Sequence, residues 1–152
     1  MRRLSGVFLA GAILMLPVFS QNAGVQAQAP QKLTMEGDLA LWSVAIRPDK
    51  TADFEKIMAK IKDALAKSEA PEAKQQLAGW RVVKMSKPMP DGNIIYTHVI
   101  TPVAGADYNI LQVLYATFKD PAEQKELYDL YRGAFAANLG ISSGTVAADL
   151  SK

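Results

Sequence analysis

Residues Leu39–Lys67 constrain the fold of this 152-residue chain more than any other stretch. Side chains alternate at its start, with Trp42, Val44 and Ile46 on one face, which predicts a β-strand with one face toward a core. Pro48 ends that strand because proline cannot donate to a strand ladder. Apolar residues then recur at i, i+3, i+4 and i+7, which predicts an amphipathic helix. Its core-facing stripe is expected to comprise Phe54, Ile57, Met58, Ile61, Ala64 and Leu65.

Residues 1–27 have the layout of a secretory signal peptide. Two arginines precede a short apolar run, Val7–Val18, and the small residues Val25 and Ala27 favour cleavage after Ala27. An uncleaved membrane anchor is the alternative. It fits less well because a spanning helix needs about 20 apolar residues, and this run is shorter and contains Pro17. We therefore expect a periplasmic or secreted protein without stable membrane insertion after leader cleavage.

Removal of this leader leaves a chain without net charge. The full sequence has 17 basic and 15 acidic residues, and the predicted leader contains two of the basic residues and no acidic one. A protein that neutralises many phosphates needs a concentrated positive patch, so nucleic acid is not expected as a partner. The chain has no cysteine, so its stability must come from packing, alone or with self-association.

The mature chain is predicted to form one domain. Residues 28–37 are a polar lead-in that we expect to be flexible, and residues 38–152 are expected to form a single α+β domain. Pro71–Ala78 favours a short helix, since proline is common at the first helical position. Trp80–Met85 and Ile94–Thr101 predict two strands, with the turn formers Asp91-Gly92 between them. We expect the first strand to pair with this hairpin.

Two helical segments and a final strand are predicted in the last third of the chain. Ile110–Phe118 favours a short buried helix, with a β-strand as the alternative for so apolar a run. Asp120 is expected to cap a longer helix that runs to about Leu139, where Gly140 ends it. Ser142–Leu150 gives a weaker signal for a last strand.

These elements follow the β-α-β-β-α-β order of a ferredoxin-like antiparallel sheet with helices on one face, with an extra short helix before the second strand. Over most of the mature chain, this order resembles the dimeric α/β-barrel superfamily, which includes the antibiotic-biosynthesis monooxygenase-like proteins. Residues Trp42–Glu55 are also similar to exported bacterial proteins of unassigned function. Neither resemblance carries a catalytic motif. The open sheet face that this layout implies favours a homodimer.

The sequence contains few groups suited to catalysis. His98 is the only histidine, and no cysteine is present. Zinc and copper sites draw several ligands from these two residue types, so no metal site is expected. Haem needs only one axial histidine, so haem ligation by His98 remains an alternative to a histidine hydrogen-bonded within the fold. We predict no catalytic residue and no cofactor.

Four residues on neighbouring predicted strands are candidates for ligand binding: Trp42, Trp80, Tyr96 and His98. They would line an apolar pocket with a few polar tips if they share the face away from the helices. Ordinary core or a dimer interface is the alternative. Our leading interpretation is an exported, non-enzymatic homodimer that binds a small apolar ligand. A cofactor-free oxygenase-like or haem-handling enzyme and a structural or envelope-interaction protein are the other two.

Overall fold

The computed structural model describes residues 31–150, so the predictions made for residues 1–30 lie outside the described part. A 3-10 turn at Pro48–Lys50 follows the first strand. The eight remaining elements are β1 (Leu39–Ile46), α1 (Thr51–Lys67), α2 (Ala73–Gly79), β2 (Trp80–Lys84), β3 (Ile94–Ile100), α3 (Ile110–Thr117), α4 (Pro121–Ala134) and β4 (Phe135–Gly144). Over this range, no helix combines the length and apolar character needed to cross a bilayer.

The four strands form one antiparallel sheet in the order β2-β3-β1-β4. β1 therefore lies inside the sheet and pairs along both edges. Against β3, Trp42 lies opposite His98 and Val44 lies opposite Tyr96. The predicted pairing of the first strand with the hairpin is confirmed. Each helical connection joins two strands that are separated by one intervening strand.

The α+β class is confirmed, whereas the plain ferredoxin-like β-α-β-β-α-β order is not matched. Two helices stand at each place where that order has one, with α1 and α2 between β1 and β2, and α3 and α4 between β3 and β4. α3 and α4 are separate helices because each has its own N-cap. The Asn109 side chain accepts from the backbone N–H of Gln112 at the start of α3, and the Asp120 side chain accepts from that of Glu123 at the start of α4.

The core lies between the sheet and the helical layer, to which α1, α3 and α4 contribute buried side chains. Every second residue of β1 from Ala40 to Ile46 is buried, and Tyr96, His98 and Ile100 of β3 are buried beside them. The predicted core-facing stripe of α1 is confirmed: five of its six residues are buried, and the sixth, Met58, is partly buried. Burial of a side chain such as Ile57 contributes about 1.5–3 kcal/mol to folding.

The C-terminal predictions were wrong about where helix gives way to strand. α4 ends at Ala134 rather than near Leu139, and β4 runs over Phe135–Gly144 rather than Ser142–Leu150. Gly140 ends no helix: its φ is +106° within β4, beside a shift in register with β1. The physical reason is tertiary, because residues 135–144 satisfy the backbone groups along the second edge of β1.

Part of the predicted lead-in makes defined contacts with the domain. The backbone N–H of Leu33 donates to Asp107 Oδ1 over 2.9 Å, and the carbonyl of Leu33 accepts from the N–H of Tyr108 over 2.8 Å. Met35 is buried in the core. The flexibility of residues 28–37 stays a prediction.

Candidate functional site

All four predicted ligand-binding residues lie on the helix-covered face of the sheet. Trp42, Tyr96 and His98 are buried, and Trp80 is partly buried against the same core. The condition under which they would line a pocket on the opposite face is therefore not met. The structure brings Trp42, His98 and Trp80 into direct contact, whereas the ring of the fourth, Tyr96, packs against Phe54 with centroids 4.7 Å apart.

Trp42, His98 and Trp80 form a row of contacting rings across three strands, β1, β3 and β2, which we call the stack, although Trp80 is tilted by 49° to His98. The Trp42 and His98 rings are stacked, with their centroids 4.6 Å apart. Trp80 Nε1 donates to His98 Nδ1 over 3.0 Å. The Phe54 ring of α1 meets His98 edge-on at 6.1 Å, so a helix residue that the sequence placed only in the core closes the stack.

His98 is neutral in this environment. Burial lowers its pKa to about 4, because an imidazolium would lose its hydration there. Since Nδ1 accepts a hydrogen bond, the ring proton must be on Nε2. Nε2 is buried and has no hydrogen-bond partner within residues 31–150. An iron or other metal could reach this ring only if the surrounding aromatic side chains moved.

The ring of Tyr96 is buried, and its hydroxyl takes part in a different set of hydrogen bonds. Its hydroxyl donates to Glu55 Oε1 over 2.6 Å, and Lys84 Nζ donates to the same oxygen over 3.0 Å. The hydrogen bond from Tyr96, followed by that from Lys84, lowers the pKa of Glu55. Tyr96 thus ties β3 to α1 and lies outside the stack.

One side of the stack opens into a groove between two helices and the edge strand, which we call the α1–β2 groove. Its volume is about 360 Å³. Its walls are mainly apolar, and Trp80 is the member of the stack that reaches it. The lining residues are Met58, Ile61, Lys62, Leu65, Leu77, Trp80 and Val82. Leu77 and Val82 were not among the residues predicted from the sequence, although Val82 alternates in step with Trp80.

The other side of the stack reaches a second depression, which we call the α4–β4 cleft. Its volume is about 430 Å³. Trp42 lies in its wall, and the lining is more polar than that of the first groove. The cleft is formed by Trp42, Arg47, Tyr131, Arg132, Phe135 and Asn138, together with two alanines of β4. Arg47 and Arg132 are 85 positions apart in the chain, so no local pattern links them.

The described residues offer no preformed metal site. Nowhere between residues 31 and 150 do three histidine, aspartate or glutamate side chains come close enough to hold an ion. No protein-family profile, no curated protein and no solved structure matches the chain. The stack and the two depressions beside it are therefore the features that bear on function.

The burial of His98 predicts a specific loss of stability in acid. The unfolded histidine has a pKa near 6.5 and the folded one a pKa of about 4, so only the unfolded state gains the proton between these values. The stability that this neutral histidine contributes is complete above pH 6.5 and falls as the pH approaches 4. The loss between pH 7 and pH 4.5 is about 2 kcal/mol.

His98→Gln supplies the control, because glutamine keeps an acceptor for Trp80 and does not titrate. Urea unfolding followed by tryptophan fluorescence at pH 7 and pH 4.5 gives the two free energies. The native protein should lose about 2 kcal/mol more than the variant over this interval. Equal losses in the two proteins would contradict the assignment of a neutral, buried His98.

Proposed function

We propose that this protein is an exported, non-enzymatic homodimer that binds a small apolar ligand in the α1–β2 groove. The shape and lining of that groove carry the proposal. Its volume of about 360 Å³ lies in the lower part of the range typical of small-molecule sites. Three elements form its walls, so a ligand would be enclosed by side chains from α1, α2 and β2.

Trp80 presents only ring surface to this groove. Its single donor, Nε1–H, is already satisfied by His98 Nδ1. A bound molecule therefore needs no acceptor opposite the indole and gains contact area without leaving a polar group unpaired. Each Å² of apolar surface removed from water contributes about 25 cal/mol, which favours hydrocarbon over polar ligands here.

Lys62 indicates what the ligand carries at its polar end. Lys56 and Lys60 of α1 form ion pairs with Glu126 and Glu123 of α4, and Lys67 pairs with Asp63. Lys62 lines the groove and has no such carboxylate partner in the described part of the chain. We therefore propose an apolar ligand with a single carboxylate end, held by an ammonium group at the rim.

The uncovered sheet face supports the proposed homodimer. Alternate residues of the strands point away from the helices, and several are apolar and solvent-exposed, including Leu41 (41% exposed) and Val83 (46% exposed). The central polar pair needs no new partner, because Ser43 Oγ and Thr97 Oγ1 lie 3.0 Å apart and share a hydrogen bond. A second copy can therefore cover the centre of this face without leaving these two hydroxyl groups unpaired.

We further propose that the domain is an elaborated relative of the dimeric α/β-barrel arrangement. In support, the order β2-β3-β1-β4 lets both helical connections cross one intervening strand, as in split β-α-β units. The second helix in each connection is what this domain adds to that arrangement. The proposal that the protein is exported depends on the signal-peptide layout of residues 1–27. In the experiments below, the mature protein begins at Gln28.

Val82→Glu should weaken ligand binding strongly while the fold persists. Val82 is 36% exposed and lines the groove, so a carboxylate there is tolerated by the fold but repels the proposed carboxylate ligand. Isothermal titration of the mature protein with decanoate should show binding that weakens roughly tenfold or more in this variant. Decanol, which lacks the charge, should bind more weakly than decanoate, and Lys62→Ala should remove that difference.

Val83→Glu is the matched control, since Val83 is the next residue and points to the opposite face of β2. It should leave decanoate binding within about twofold. Absence of decanoate and decanol binding to the native protein would refute the ligand proposal and favour a structural role. Equal effects of the two variants would also refute it.

The same two variants test the homodimer. Light scattering after size exclusion should give twice the chain mass for the mature protein and for Val82→Glu. Val83→Glu should give the mass of one chain, because two charges would be buried at the interface without partners. A native protein that stays monomeric at about 100 μM would overturn the dimer proposal and leave the groove proposal standing.

A further inference from the structure

We propose that the α4–β4 cleft is a second binding site, for a small aromatic phosphate monoester. Two arginines, a phenol and a side-chain amide face this cleft, and its lining contains no carboxylate. Four groups that can donate hydrogen bonds, two of them permanently cationic, with no carboxylate beside them, describe a site for an oxyanion. This site is separate from the groove assigned to the apolar ligand.

The backbone brings the two arginines together. Arg47 directly follows β1, and Arg132 lies in the last turn of α4. The N–H of Arg47 donates to the carbonyl of Ala134 over 3.0 Å, which ties the end of the strand to the end of the helix. Neither guanidinium forms an ion pair or hydrogen bond with any residue in the described range.

Two charges without protein partners favour a dianion over a monoanion. The helix dipole alone would explain why an arginine stands at position 132, because a cation in the last turn of α4 lies near the negative end of that dipole. It does not explain Arg47, which belongs to a different element. Guanidinium groups bind phosphate oxygens in pairs, with two parallel N–H···O bonds each.

Asn138 supplies a donor whose orientation is fixed by the fold. Its Oδ1 accepts from Trp42 Nε1 and from the backbone N–H of Gly140, each over 3.1 Å. With both bonds on the oxygen, the Nδ2 group must point elsewhere, and no described residue accepts from it. The cleft, which Asn138 lines, is the open side available to it.

Tyr131 adds a hydroxyl that stays protonated. Burial raises the pKa of Tyr131 to about 12, although the nearby Arg132 charge lowers it in part. The hydroxyl has no hydrogen-bond partner within residues 31–150, and it is not among the fully buried polar atoms. It therefore remains a donor at neutral pH and lies at the surface of the cleft.

The rest of the lining suits a flat apolar group. Phe135 packs edge-on against Tyr131, with centroids 4.6 Å apart, and Trp42 is the third aromatic side chain of the lining. An aryl group can contact these rings while its phosphate meets the two guanidinium groups. The volume of about 430 Å³ accommodates one such molecule.

Nitrogen-proton correlation NMR of the mature protein, titrated with phenyl phosphate, tests this site. The indole N–H of Trp42 and the side-chain amide of Asn138 should shift along a saturable curve with a Kd below about 1 mM. Inorganic phosphate should bind more weakly, and phenol should give no saturable shift. Arg47→Ala and Arg132→Ala should each weaken binding roughly tenfold.

Arg81→Ala is the control, because it removes the same charge from β2, at the opposite edge of the sheet. It should change the affinity less than about twofold. Equal weakening by Arg81→Ala, or shifts confined to residues of the α1–β2 groove, would overturn the proposal. Absence of saturable shifts at about 10 mM phenyl phosphate would do the same. Since Val82→Glu leaves this cleft intact, the two binding proposals succeed or fail separately.

Discussion

The position of β1 inside the sheet is the constraint on which the rest of the structure depends. Every backbone amide from Ala40 to Ile46 can pair with β3 or β4, so this strand exposes no free edge. The same pairing sets the register in which Trp42 faces His98. A shift of one residue would turn Trp42 and Val44 to the open face and dismantle the core.

The stack built on that register connects two depressions of different chemistry. Trp80 ends it in an apolar groove beside α1, and Trp42 ends it in a cleft that carries two arginines. Each indole N–H donates a hydrogen bond within the protein: that of Trp80 to His98 and that of Trp42 to Asn138. Neither tryptophan therefore presents an unpaired donor to the depression that it lines. His98 is buried between the two indoles and contacts both of them. Because it stays neutral there, it lowers the free energy of unfolding in acid.

Local sequence patterns predicted the elements that local forces decide. β1 and α1 followed from alternation and helical periodicity, and Asp120 capped its helix as expected. The start of β4 could not be found this way, because residues 135–139 continue a helical pattern and become a strand only by pairing with β1. The contact between Trp42, His98 and Trp80 was foreseen in part from neighbouring strands. The meeting of Arg47 with Arg132 depends on tertiary folding alone.

Native-state hydrogen exchange of the mature protein measures the central claim most directly. If β1 is held along both edges, the amides of Trp42, Val44 and Ile46 should exchange only through global unfolding, with the full free energy of unfolding. Amides of β2, which is an edge strand with exposed side chains, should exchange through smaller openings. Exchange of the β1 amides as fast as those of β2 would contradict the account.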